Sequence, residues 1–319
     1  MPASLKPFWL SLAGLWLAGI AVLRLYPWPD TPGPGVAAAF LVEGSLFLAL
    51  GFPAVMERLK GTWPAVLAAS GLLPYCLYSL SAGVFDWRSL AALAALAAVA
   101  AFWFRAIPRH PASDLAFLAL MAGISLTRLF PDLYAPVSPK LRVDFLGQMM
   151  WRRVAIAAVL LYRPMAGIDL GFLPARREWL VGLREFLYFI PLGAVLLSFT
   201  GFARFQPLQA EPLKALLIAV GIFLGMLWFV ALTEEFFFRG LLQQWLSEWL
   251  RSPRAGLLLA SVAFGAVHLT FRYPPLNWRF ALLAAAGGIF YGRAFRCGGI
   301  RAAMVAHALV NVTWRVLFV

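Results

Sequence analysis

Residues 215–240 read ALLIAVGIFLGMLWFVALTEEFFFRG, an apolar run that ends by placing Glu234, Glu235 and Arg239 in the same stretch. A run of about 20 predominantly apolar residues is the length of a helix that crosses a bilayer. Hydrocarbon offers no partner for backbone N–H and C=O groups, so a spanning chain is either helical or part of a closed barrel. A continuous apolar run, without strict alternation, selects the helix. Charges near the bilayer centre cost about 3 kcal/mol or more each, so the two glutamates and the arginine need a reason to be there.

The rest of the chain agrees with this reading. Of its 319 residues, 62% are hydrophobic and 13% charged, and the mean hydropathy is +0.81, which is outside the range of a soluble globular domain. The expected fold is all-α, a polytopic transmembrane helical bundle. Apolar runs mark candidate spans at 7–26, 36–56, 62–85, 89–104, 114–130, 148–163, 184–202, 213–235, 255–271, 278–295 and 300–318. Arg152 and Arg153 interrupt the sixth of these, so the expected count is nine to eleven. Proline and glycine mark loops at 27–35, 251–254 (RSPR) and 272–278 (RYPPLNW).

The net charge of +13 is the ordinary consequence of orientation signals and anionic headgroups in a polytopic protein. No basic tract with interleaved aromatics is present, so nucleic acid is not an expected partner. Cys76 and Cys297 lack any metal-ligand or redox spacing. Residues 7–23 lead into Arg24 without a small-residue cleavage site, which favours an uncleaved first helix. With a cytoplasmic amino terminus and alternating spans, most basic loops fall on the inner side, so that orientation is expected, in a bacterial inner membrane.

Three segments follow: 1–130, an amino-terminal transmembrane block; 131–183, a polar connecting segment with one weak span; and 184–319, where the intramembrane polar residues gather. Within the first block Glu43 is a single embedded carboxylate, read as an interhelical hydrogen bond. The last segment holds Glu234, Glu235, Arg239, His268, His307 and Asn311 in or beside apolar runs. Such groups face one another or a water-filled cavity. Glu235 and Arg239 are four residues apart on a helix and can pair, whereas Glu234 points about 100° away and stays uncommitted. His307 and Asn311 share the same spacing, as do Phe264 and His268, which sets a ring beside an imidazole. With a hairpin turn at Pro253, Glu235 and His268 lie within roughly 5 Å of one height, and a carboxylate with a neutral imidazole at one depth can hold a water.

EEFFFR (234–239), FGAVH (264–268) and HALVN (307–311), in this order, resemble the EExxxR, FxxxH and HxxxN motifs of the CPBP family, the CAAX prenyl endopeptidases and bacteriocin-processing enzymes also called Abi proteins. The resemblance covers about residues 180–319. It implies a glutamate-type intramembrane endopeptidase acting on a hydrophobic peptide or membrane-anchored protein. By motif, Glu234 with His268 would activate water, His307 and Asn311 would stabilise the oxyanion, and Glu235, Arg239 and Phe264 would support the site. No cofactor is then required. The alternative is a zinc-dependent protease with Glu234, His268 and His307 as ligands. A different class, a proton-coupled transporter using the same buried cluster, is disfavoured because no inverted repeat is present and the polar groups cluster instead of lining a path.

Overall fold

The computed structural model describes residues 4–25, 33–127, 129–139, 141–163, 165, 167–168, 170–171, 173–270 and 276–318. The loops expected at 27–35 and 272–278 therefore lie largely outside the described residues. Among those residues the regular structure is helical, apart from one isolated bridge between Phe205 and Phe318. The chain divides into two compact units, Met1–Pro164 and Met165–Val319. The boundary falls inside the polar segment 131–183.

The first unit contains α1 (Lys6–Leu25), α2 (Pro34–Ala49), α3 (Pro53–Leu59), α4 (Pro64–Ser81), α5 (Trp87–Ala106), α6 (Pro111–Leu126), α7 (Leu129–Leu133) and α8 (Asp144–Tyr162). Four of these helices start on proline, whose fixed φ and missing N–H suit the first turn. Trp151, Val154, Ala155, Ile156 and Val159 of α8 are fully buried, and α8 packs against α2, α4 and α5. Arg153, which weakened this span in the sequence, is satisfied internally. Its Nε and Nη2 reach Glu43 Oε1 and Oε2 at 2.7 and 3.2 Å, and its Nη1 donates to Ser70 Oγ at 3.1 Å. A forked guanidinium meeting a carboxylate with both arms ties three helices together where water cannot reach.

The second unit contains α9 (Arg176–Thr200), a long helix α10 (Pro212–Trp249), α11 (Pro253–Ala266) and α12 (Trp278–Leu317). An unbroken α12 of 40 residues would be about 60 Å long, twice the hydrocarbon thickness. It is broken at Gly299, whose φ of 77° is left-handed and open to glycine without strain. The arms 278–298 and 300–317 fold back on each other. Phe202 at the end of α9 stacks on both Phe280 of the first arm and Trp314 of the second, with centroids 5.4 and 5.1 Å away. Close approach of α9 to the second arm depends on Gly182, where a Cβ would lie 2.6 Å from Val305.

Among the described residues, five helices are long and apolar enough to cross a membrane, or six if α2 and α3, bent by 90° at their break, form one span. By that measure the expected nine to eleven is not reached, for identifiable reasons. Several apolar runs end as shorter helices such as α6 and α11 (16 and 14 residues). α8 carries Asp144, Arg152 and Arg153 and is largely enclosed by its neighbours. The two runs at 278–295 and 300–318 remain two segments, the paired arms of α12 on either side of Gly299. The protein is an integral membrane protein with an all-helical fold.

Candidate active site

α10 is not a regular α-helix. Met226–Ala231 and Phe236–Gln243 are π-helical and flank a single α-helical turn, Leu232–Glu235, that carries both glutamates. Such wider turns are uncommon and concentrate at functional sites. Thr233 stabilises the turn by donating its hydroxyl to the carbonyl of Val230 at 3.1 Å and also to that of Phe229.

Glu235 and Arg239 are both fully buried, with Arg239 Nε 3.2 Å from Glu235 Oε2. The other oxygen, Oε1, lies 2.6 Å from His307 Nδ1 on the second arm of α12. A carboxylate can only accept here, so His307 donates from Nδ1 and its Nε2 is left toward the remaining acid. That acid is Glu234, whose Oε2 is 3.8 Å from His307 Nε2. The distance is too long for a direct hydrogen bond and suits a shared water. The side chain of Glu234 is 33% exposed while that of Glu235 is 0% exposed, so of the two neighbours only Glu234 can meet a ligand.

Aromatic rings hold these groups in place. Phe264 lies edge-on to His268 at 4.8 Å and to His307 at 5.7 Å, and the Arg239 guanidinium sits 4.3 Å from its centroid. That arrangement lets a cation pay part of its desolvation against a ring face. Arg239 Nη2 also donates to the Gly288 carbonyl at 3.1 Å. One turn further along, Gln243 donates to the Gly292 carbonyl at 3.3 Å. The glycines of GGIFYG are what allow this approach, since a Cβ on Gly288 would lie 3.0 Å from Arg239 Nη2.

His268 follows the end of α11, and its Nδ1 is 2.6 Å from the Phe264 carbonyl oxygen. The carbonyl accepts, so Nδ1 carries a proton. His268 is thus joined to the cluster through Phe264, and Glu234 has His307 as its imidazole neighbour. Asn311, one turn beyond His307, is partly exposed. Among the described residues, no group of three His, Cys, Asp or Glu side chains is arranged to hold a metal ion.

Tyr291 was not among the residues singled out in the sequence. Its ring lies parallel to the His307 imidazole, 4.6 Å away with an interplanar angle of 8°, and it is 4% exposed. Residues 291 and 307 are equally far from Gly299, so the turn that makes α12 a hairpin brings them face to face. The positions could be paired from sequence only by knowing where that turn falls.

Residues 215–313 match the family of Rce1-like type II CAAX prenyl endopeptidases. The match spans all three motifs, Glu234 to Arg239, Phe264 to His268 and His307 to Asn311, and agrees with their CPBP resemblance. This is a family of peptidases that act on peptide or protein substrates in membranes. No curated protein matches the chain, and no solved structure does.

Proposed function

We propose that the protein is a glutamate-type intramembrane endopeptidase that cleaves a hydrophobic or lipid-anchored peptide or protein at the cluster in its second unit. The observation that carries this reading is the division of labour between adjacent glutamates: Glu235 is engaged by His307 and Arg239, while Glu234 is open and faces His307 Nε2 across 3.8 Å.

Glu234 acts as the general base. It takes one proton from a water as the hydroxide oxygen forms a bond to the scissile carbonyl carbon, and the carbonyl π pair moves to oxygen. His268, with Nε2 as an acceptor, orients the water through its second hydrogen. The oxyanion is met by the Asn311 amide and by His307, whose ring Glu235 holds in place through Nδ1–H. Preset donors in a dry site stabilise developing charge without reorganisation. Collapse of the intermediate breaks the C–N bond, and the proton held by Glu234 passes to the leaving amine.

The test uses full-length protein in proteoliposomes with a farnesylated CAAX reporter peptide, its unprenylated counterpart and a membrane-anchored reporter, with products identified by mass. Cleavage of at least one reporter that disappears in Glu234→Gln is expected. An undiminished Glu234→Gln variant would refute the assignment.

A further inference from the structure

Away from the catalytic cluster, two arginines bracket a single buried carboxylate. Glu185 on α9 is completely buried. Arg184 Nη2 lies 2.8 Å from its Oε1, and Arg293 Nε, on the first arm of α12, lies 3.1 Å from its Oε2. A clasp between α9 and α12 requires only Arg293. The second guanidinium comes from the same helix as the carboxylate, directs Nε and Nη2 to its Oε1, and also bonds the Cys297 side chain on α12. The pair leaves one positive charge in excess, and both arginine side chains remain nearly half exposed, at 45% and 43%.

The fork of Arg293 is held in a defined position. Tyr188 and Phe290 lie beside it with centroids 5.7 and 5.4 Å from Cζ, and its Nε is turned to Glu185, which leaves the Nη donors for the exposed side. Depth follows from the sequence. Arg184 and Glu185 immediately precede the apolar run 186–200, and Arg293 immediately follows the apolar run 280–292. Both guanidinia therefore stand where hydrocarbon gives way to headgroups. Tyr188 and Trp179, exposed on the same helix, are the residue types that settle at that level.

We propose that Arg184 and Arg293 form a binding site for the phosphate of an anionic phospholipid. Planar guanidinium forks match phosphate oxygens, Glu185 fixes their orientation, and the excess charge selects an anionic lipid over a zwitterionic one. The lipid would lie against the helix pair whose second member carries Tyr291 and leads into the arm with His307.

The test is native mass spectrometry of full-length protein equilibrated with equimolar phosphatidylglycerol and phosphatidylcholine. The wild type should retain phosphatidylglycerol with a preference of roughly fivefold for each arginine engaged. Arg184→Gln, which leaves the Arg293–Glu185 contact in place, should lower the preference about fivefold, and Arg184→Lys should recover much of it. Arg254→Gln, in the turn at 251–254, removes the same charge outside the site and should change nothing. Parity in the wild type would overturn the proposal. So would an equal loss in Arg254→Gln, which would indicate general adsorption to a basic protein, or displacement of the lipid by millimolar inorganic phosphate, which would make free phosphate the ligand. The retention readout is independent of peptidase activity, so it stands whether or not the catalytic assignment does.

Discussion

His307 Nδ1 lies 2.6 Å from Glu235 Oε1, a contact between residues 72 positions apart, while Oε2 of the same carboxylate reaches Arg239. Glu235 is thus the hub that orients an imidazole and neutralises a buried cation. Its neighbour Glu234 touches neither task except through the open side of the same imidazole.

The two glutamates should therefore fail differently when neutralised. Glu234→Gln should lower peptide cleavage by about 10²–10⁴-fold or more, the range for loss of a positioned general base, with little change in melting temperature. Glu235→Gln leaves Arg239 buried without its carboxylate, a loss of about 3–5 kcal/mol when one partner of a buried pair is removed. Its melting temperature in detergent should drop. Equal melting behaviour of the two variants would contradict the division of roles.

Tyr291 should act through His307 and not on the substrate. Tyr291→Phe keeps the parallel ring and should retain most activity. Tyr291→Leu removes it and should lower kcat with a smaller effect on KM. Equal effects of both changes would mean that the phenol oxygen, not the stacked ring, matters.

Metal dependence separates the two chemistries considered for this site. Activity should survive dialysis against a chelator, because in the glutamate mechanism Glu234 itself takes the proton from water. Complete loss restored only by zinc would replace the glutamate mechanism with the metal-dependent one.

In the first unit, Glu43 and Arg153 form a fully buried pair. Arg153→Met alone should destabilise the protein by about 3–5 kcal/mol, and the combined Glu43→Leu and Arg153→Met change should recover most of that, since paired charges in a dry interior gain little over a packed apolar replacement. Thermal melts of the two variants would decide it. A double variant no better than the single one would show that the pair does more than neutralise itself.

At the start of α5, Asp86 accepts from the Ser89 backbone and hydroxyl at 2.8 and 2.9 Å, and these bonds hold its carboxyl below the usual range. The folded value is lowered, so the cap contributes fully above the ordinary carboxylate range and is lost as pH falls through that range to the lowered value. Protection factors at Ser89 and Leu90, which correct for the slower intrinsic exchange at low pH, should fall on acidification, and Asp86→Asn should flatten that dependence.

Much of this protein is legible along the chain. Apolar runs of membrane length determine an all-helical membrane fold, because hydrocarbon leaves the backbone no other way to satisfy its polar groups. Helical periodicity alone sets Glu235 over Arg239 and turns Glu234 aside, since residues four apart share a face and adjacent ones do not. What the chain could not disclose depends on contacts between distant segments. Arg153 looked like a flaw in a span until Glu43, 110 residues away, met it. The two apolar runs after residue 278 looked like separate spans, and only the left-handed turn at Gly299 folds them so that Tyr291 faces His307. The pairing of Glu234 with His307 is likewise a tertiary outcome. Local spacing determines direction around one helix, but which helix stands opposite is decided by how glycine-lined surfaces at Gly182, Gly288 and Gly292 let neighbours approach.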